Sequence, residues 1–159
     1  MRTVVNLGGT MIVTEVEFEA FVARIEPDLR RALAGHLPVH AVPDAISEAF
    51  AFAWEHWTTV KELHNPGGYL FRVAQSRSRR RLEGVLPAPE SPRDPDVEPG
   101  LPAAFRALPE RQRTAAWLVH GCGWTMVEAG EAMNIAASSV ATHVSRAMDS
   151  LRTAMGVER

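Results

Sequence analysis

The C-terminal third of the chain constrains the fold most, because it contains a helix start, a tight turn and a second helix in short succession. Thr125 and Glu128 have the spacing of a capping box, in which each side chain satisfies a backbone amide of the other residue. The predicted helix ends near Met133. It is followed by Asn134, which tolerates the left-handed backbone of a tight turn. With a second helix predicted from Ala137, the pattern favours a helix-turn-helix.

The predicted second helix has an apolar side and a polar side. Residues at three- and four-residue spacing form one buried stripe: Val140, Val144, Ala147, Met148, Leu151 and Met155. The polar side carries Ser138, Thr142, Ser145, Arg146 and Asp149, with Ser139 and His143 on its flank. Small hydroxyls with Arg and His suit entry into a DNA major groove. A plain helical hairpin with a solvated face fits the pattern equally well.

Composition limits the classes of function. The chain has 159 residues, which suits one or two small domains, and a single cysteine, Cys122, which excludes an internal disulfide framework. No apolar run approaches the ~20 residues of a membrane span, and the N-terminus does not read as a signal peptide. We therefore expect a soluble, cytoplasmic protein. Without a nucleophile–base pair, a glycine-rich phosphate loop or metal-ligand spacing, we predict no enzyme, no catalytic residue, no cofactor and no metal site.

A proline-rich acidic segment divides the chain. Residues 83–104 contain six of the eleven prolines and carry one arginine against five acidic residues. Such a segment has little to bury and is predicted to be an extended tether. The flanking parts, 1–82 and 105–159, each have a formal net charge of +1. Because DNA affinity depends largely on phosphate neutralisation, we expect neither part to bind DNA tightly alone.

The N-terminal part is predicted to be helical after an extended N-terminus. Residues 1–13 show no periodicity that assigns them a role, and a helix is predicted from Glu15. The clearest amphipathic helix runs from Asp44 to Trp57. Its predicted inward stripe is Ile46, Ala49, Phe50, Ala53, Trp54 and Trp57. The opposite side carries Asp44, Glu48 and Glu55, with Phe52 beside it. An acidic side of this kind is either a solvated face or a docking surface for a basic partner.

A further helix is predicted from Tyr69 to Leu82, after a connection over residues 56–68 that ends in a strong Asn-Pro-Gly-Gly breaker. Its outer side carries Arg72, Gln75, Ser76 and Arg79, and its end carries a cluster of Arg77, Arg79, Arg80 and Arg81. Cations at a helix C-terminus favour the helix dipole, which is a structural explanation. A phosphate-contacting patch is the functional one.

These elements predict an all-α chain made of two small helical bundles joined by a Pro-rich acidic linker, the second containing the helix-turn-helix. The predicted parts are an N-terminal extension (1–14), a helical domain (15–82), the linker (83–104) and the helix-turn-helix domain (105–159).

Four segments in this order resemble the extracytoplasmic-function (ECF) group of bacterial RNA polymerase sigma factors. The residues from Asp44 to Trp54 are similar to the family pattern D-x-V-Q-E-x-F-x-x-A-W, and those from Tyr69 to Ala74 to W-L-x-R-I-A. Leu108 to Arg113 matches L-P-x-x-x-R, and Gly123 to His143 follows the family's helix-turn-helix pattern. The resemblance covers roughly residues 15–155 and implies region 2-like and region 4-like domains.

The resemblance implies that the partners are core RNA polymerase and promoter DNA. It is compatible with an anti-sigma factor, and the lack of a long apolar run predicts no membrane insertion. The implied polymerase-binding residues are Asp44, Glu48, Phe52 and Glu55. The residues implied to contact the −35 element are Ser138, Ser139, Thr142, His143 and Arg146. Those implied on the −10 side are Arg72, Gln75, Ser76, Arg79 and Arg80.

The chain departs from the family at several contact positions. Ala141 and His143 stand where Lys and Arg are usual, Ala136 replaces a usual Ser N-cap, and Ser76 replaces a usual Asn. An alternative sigma factor is the leading hypothesis. The alternatives are a helix-turn-helix regulator that acts without polymerase, and a sigma-like protein that binds polymerase or an anti-sigma factor without reading DNA.

Overall fold

The computed structural model describes residues 7–82 and 100–157, with side chains for 14–79 and 100–157. Within these residues the only regular structure is helical. The N-terminal part comprises α1 (Leu7–Ala34), a 3₁₀ turn (Val39–Ala41), α2 (Val42–Glu55), α3 (Trp57–Val60) and α4 (Pro66–Leu82). The C-terminal part comprises α5 (Leu101–Ala107), α6 (Glu110–Ala116), a π-helical turn (Trp117–Gly121), α7 (Met126–Met133) and α8 (Ala137–Ala154).

Helix α1 is longer than its sequence predicts. The expectation that residues 1–13 are extended was wrong from Leu7 onward, where α1 begins. Gly8 and Gly9 fall in the first turn, where the amides lack intrahelical partners in any case. Pro27 lies inside α1, and Leu29, Ala32 and Leu33 beyond it are buried, so a single helix continues through the proline.

The first bundle is formed by α1, α2 and α4, which pack against one another. The predicted inward stripe of α2 is confirmed at Ile46, Ala49, Phe50 and Ala53, but Trp54 is 44% exposed. Trp54 follows Ile46 by eight residues, which places it ~80° around the helix axis from Ile46. It therefore lies at the edge of the stripe. Trp57 packs edge-on against Phe18 and Phe21, with ring centroids 5.2 and 5.1 Å apart, as a member of the core.

The second bundle contains the predicted helix-turn-helix, α7 and α8. Thr125 and Glu128 form the capping box in both directions, and Asn134 has a left-handed backbone with φ 55°. The turn approaches α7 closely, since a Cβ at Gly130 would lie 2.7 Å from the Ile135 carbonyl oxygen. Helix α5 begins at Leu101, inside the range predicted as linker, because Pro102 is favourable in a first helical turn. Residues 83–99 of that range lie outside the described residues.

The two bundles pack against each other. Helix α7 lies against α4, and the π-helical turn lies against α1. Phe71 of α4 is 1% exposed, and its ring meets Trp124 of the second bundle edge-on at 6.0 Å. The buried core is accordingly continuous between the bundles, from Leu33 and Leu70 to Leu118 and Val140.

Candidate nucleic-acid interface

Helix α8 presents the polar side that its sequence predicts. Ser138, Thr142 and Arg146 are exposed, while Val140, Val144, Ala147 and Leu151 are buried beneath them. The Thr142 hydroxyl donates a hydrogen bond to the Ser138 carbonyl (3.1 Å), so its lone pairs face outward as acceptors. Arg146 has no ion-pair partner among the described residues, because the nearby Asp149 accepts from Arg152 instead (3.1 Å). Arg146 is therefore available to a base edge or a phosphate.

The flank of α8 is less accessible. Ser139 and His143 are half-buried, and Nδ1 of His143 is buried without a hydrogen-bond partner among the described residues. The helix starts at Ala137, and its N-cap residue, Ala136, supplies no side-chain hydrogen bond. The first turn of α8 thus lacks a side-chain acceptor at its N-cap, although the Ser139 and Val140 amides donate to the Ala136 carbonyl oxygen.

The polar side of α4 is partly covered. Arg72 and Gln75 are half-buried, whereas Ser76 and Arg79 are exposed. The Arg72 guanidinium lies 5.6 Å from the centre of the Tyr69 ring, and its Nε atom is buried without a hydrogen-bond partner in the described part of the chain. Arg79 forms an ion pair with Glu110 of the second bundle. The side chain of Arg80 lies outside the described residues.

Two buried residues of α4, Phe71 and Ser78, were not predicted from the sequence to face inward. Phe71 packs against His36 as well as Trp124, with the His36 ring centroid 5.1 Å away. The signal that could have found Phe71 is its aromatic character next to Leu70. A helix that contacts neighbours on two sides needs a buried apolar stripe two residues wide, here Leu70 and Phe71.

The acidic side of α2 is present, but its aromatic residue is engaged. Asp44 and Glu55 are exposed and Glu48 is half-buried. Phe52 is half-buried and stacks on His56 with centroids 4.1 Å apart, and Arg77 of α4 lies over the Phe52 ring at 5.2 Å. Phe52 therefore helps to hold α2 against α4 and offers a partner only part of its ring.

Two titratable side chains lie where the bundles meet. Burial lowers the pKa of His36, and the nearby Arg113 guanidinium lowers it further, against the opposing effects of the Ala32 carbonyl and Glu110. Burial raises the pKa of the Cys122 thiol to about 11, so the thiol is protonated and unreactive at neutral pH. Cys122 is a small, half-buried residue just after the π-helical turn.

The described residues contain no cluster of three or more His, Cys, Asp or Glu side chains placed to hold a metal ion. Across residues 7–82 and 100–157, no helical segment combines the length and hydropathy of a membrane span.

Comparisons with known proteins agree with this arrangement. Residues 101–151 match the family described as sigma-70, region 4. A search of curated protein sequences gives no significant match.

Two solved structures share the fold over most of the chain. The first is the sigma factor RpoE in complex with the anti-sigma factor NepR from Bartonella quintana. It has a TM-score of 0.71 and 20% sequence identity, and the match covers 90% of this chain and 99% of that one. The second is CnrH in complex with the cytosolic domain of CnrY, with a TM-score of 0.62, 18% identity and 91% of both chains covered. Residues 101–151 therefore match the sigma-70 region 4 family, and the chain as a whole shares its fold with the sigma factor RpoE.

Proposed function

We propose that this protein is an alternative, ECF-like sigma factor that binds core RNA polymerase and directs it to promoters through contacts with the −10 and −35 elements. The observation that carries the proposal is the region 4 match over the helix-turn-helix, on a chain whose first bundle presents an acidic helix and a helix carrying several arginines.

In this proposal the exposed side of α8 contacts the −35 element. Ser138, Thr142 and Arg146 are best placed to reach base edges in the major groove, and the half-buried Ser139 and His143 lie at the margin of the contact. The Arg146 guanidinium is the strongest candidate, since arginine reads guanine through two parallel hydrogen bonds.

The first bundle supplies the other two contacts. The −10 side is assigned to Arg72, Gln75, Ser76, Arg79 and Arg80 of α4. The polymerase-binding side is assigned to Asp44, Glu48, Phe52 and Glu55 of α2. Asp44 and Glu55 are exposed acidic residues, which suit a basic partner surface.

The charge of the chain supports a polymerase-dependent mode of DNA binding. The parts before and after the acidic segment have a formal net charge of only +1 each, which is little for proteins that bind DNA alone. When polymerase holds both bundles, each weak DNA contact raises the effective concentration of the other. Transcription at a promoter then requires the complete assembly.

The proposal also covers partners and location. The similar RpoE structure contains the anti-sigma factor NepR, so an anti-sigma factor is a further expected partner of this chain. The protein performs no chemical step itself, since bond formation belongs to polymerase. We place it in the cytoplasm, where polymerase and chromosome are found.

In vitro transcription tests the proposal directly. Purified core polymerase is combined with the intact protein on a library of genomic fragments, and transcript start sites are mapped. Defined starts that depend on the protein are expected. Tight binding of the intact protein to a specific duplex without polymerase would instead favour the stand-alone regulator. Polymerase binding with no start site and no footprint would favour the sigma-like interaction protein.

A further inference from the structure

A groove lies where α1, the connection before α4 and the segment before α7 meet. Its volume is about 340 Å³, which lies within the ~300–1,000 Å³ range of small-molecule sites. Helix α1 contributes Arg24, Ile25 and Asp28 to its lining, and the segment before α7 contributes Cys122 and Trp124. None of the residues assigned to promoter DNA or to polymerase lines this groove, so the proposed function leaves it unused.

Part of the lining is apolar. Ile25, Trp124 and Cys122 are half-buried there, together with Pro66. Contact with Phe71 holds the Trp124 ring in place, at 6.0 Å between centroids. Burial raises the pKa of the Cys122 thiol to about 11, so at neutral pH the thiol is a small uncharged group. The groove therefore offers an aliphatic and aromatic surface to the hydrocarbon part of a ligand.

The same groove carries one cation and one anion that do not pair with each other. Arg24 and Asp28 lie one turn apart on α1, and both are exposed. The Arg24 guanidinium lies 5.7 Å from the centre of the Phe21 ring, and it pairs with no carboxylate among the described residues. Asp28 has only a long ion pair, with Arg31 at 3.7 Å. Both charges thus remain open to a ligand.

Other polar groups of the lining are already engaged within the protein. The Glu128 carboxylate accepts from the Thr125 amide at 2.8 Å and from the Thr125 hydroxyl at 2.9 Å, as part of the capping box. The Asn65 side chain is held by hydrogen bonds through both its oxygen and its nitrogen. Arg24 and Asp28 are therefore the charged side chains of the groove that can set the charge of a ligand.

We propose that this groove binds a free amino acid with an apolar side chain. The ligand carboxylate pairs with the Arg24 guanidinium, its ammonium group pairs with the Asp28 carboxylate, and its side chain lies against Ile25 and Trp124. A simple anion would face Asp28 and a simple cation would face Arg24, so a molecule with both charges is preferred over either. The inference does not depend on the proposed function.

Isothermal titration calorimetry of the intact protein tests the proposal, with L-leucine and L-phenylalanine as probes. We expect saturable binding of at least one of them, with a dissociation constant of about 1 mM or below. N-acetyl-L-leucine lacks the ammonium group and L-leucinamide lacks the carboxylate. Both analogues should bind about tenfold or more weakly than the amino acid, because each leaves one charge of the groove without its partner.

Two variants test the assigned partners. Arg24→Gln removes the partner of the ligand carboxylate, and Asp28→Asn removes the partner of its ammonium group. Each should weaken amino-acid binding by about tenfold or more. Asp28→Asn should also lose the preference for L-leucine over N-acetyl-L-leucine. Arg30→Gln is the matched control, since Arg30 lies on the same helix outside the groove and pairs with Glu26. Circular dichroism establishes that each variant is folded.

Three results would overturn the proposal. The first is no saturable binding of either amino acid at concentrations of about 10 mM, well above the expected dissociation constant. The second is equal binding of L-leucine and N-acetyl-L-leucine, which would indicate a carboxylate site. The third is wild-type affinity in both groove variants, which would place the ligand elsewhere. All three use the protein alone, so a failure in promoter-dependent transcription would leave this test unaffected.

Discussion

At the scale of single residues, His36 shows how a side chain acquires a defined protonation state from its neighbours. Its Nδ1 atom lies 3.1 Å from the Ala32 carbonyl oxygen, which can only accept, so Nδ1 carries the proton. In the neutral ring, Nε2 is then the acceptor for the Thr114 hydroxyl at 2.7 Å. The Arg113 guanidinium disfavours a second proton on the ring, and the Glu110 carboxylate offsets this effect of Arg113 only in part.

The folded protein is expected to lose stability as the pH falls below the unfolded-state His pKa of 6.5. The pKa of His36 is lower in the folded protein, so the unfolded chain binds the extra proton first, and acid favours unfolding. Urea unfolding at about pH 5 and about pH 8 measures this loss. The glutamine side chain in His36→Gln does not titrate, so the free energy of unfolding should fall less in this variant between the two pH values. Equal losses in both proteins would contradict the assignment.

The N-cap of α8 offers a stabilising substitution. Ala136 has the extended backbone of an N-cap residue, but its side chain cannot accept from the amides of the first turn. Ala136→Ser is expected to raise the free energy of unfolding by ~1 kcal/mol. Thr125→Ala in α7 removes an existing capping box and should lower it by a similar ~1 kcal/mol. If urea denaturation shows a change of the same sign for both variants, this account of capping is wrong.

Residues that act through local geometry were predictable from the sequence. The capping box at Thr125 and the turn at Asn134 depend on a few neighbours, and the structure has them at the predicted positions. The contacts of His36 with Thr114 and of Trp117 with Arg31 were not predicted, because the two members of each pair lie 78 and 86 positions apart. His36 follows α1 in a short loop, and only the tertiary fold shows that it is half-buried.

At the scale of elements, a single helix can be assigned correctly and still face something unexpected. The polar side of α8 is exposed as predicted, because α8 packs on the rest of its own bundle through one apolar stripe. The polar side of α4 follows an equally clear pattern, yet α7 packs against that helix. Helical periodicity identifies which residues share a side, but not which neighbour covers them.

Helix α8 gives a direct test of −35 recognition. Arg146→Ala should reduce protein-dependent transcription about tenfold or more, since a guanine contact contributes roughly 1–3 kcal/mol. Arg152→Ala is the control on the same helix, because Arg152 is exposed but paired with Asp149. In vitro transcription from one mapped promoter measures both variants. Equal losses would mean that Arg146 contributes only general positive charge.

The acidic side of α2 is tested by charge reversal. Asp44→Arg and Glu48→Arg should each weaken binding to core polymerase by about tenfold or more, because each replaces attraction to a basic partner with repulsion. Glu62→Arg, on an exposed residue beyond α3, makes the same charge change at a distance from the proposed face. Affinity measured by fluorescence anisotropy compares the three variants. Wild-type binding by both α2 variants would show that polymerase docks elsewhere.

At the scale of the whole molecule, the two bundles share one buried core. Phe71 contacts His36 of the first bundle and Trp124 of the second, so neither bundle can unfold without exposing part of the other. The sequence predicted two bundles but not this contact between them, since each bundle has its own apolar stripes. Contacts between bundles use single residues such as Phe71 and Trp117, which create no repeating pattern.

Urea unfolding of the free protein should therefore be a single transition. Tryptophan fluorescence, which reports Trp54 and Trp57 in one bundle and Trp117 and Trp124 in the other, should coincide with circular dichroism. Phe71→Ala is expected to lower the free energy of unfolding by ~3–5 kcal/mol, and the remaining transition should stay cooperative. Two separated transitions in the wild type would show that the bundles unfold independently.

The polar side of α8 has a further consequence for the working cycle of the protein. Arg146 is its one arginine without an acidic partner among the described residues, and Ser138, Thr142 and Ser145 contribute only short hydroxyl groups. Such a surface dissociates quickly from a duplex once polymerase no longer holds it there. Departure from upstream DNA after each round of initiation then needs no releasing enzyme, and a small pool of molecules can serve many genes in turn.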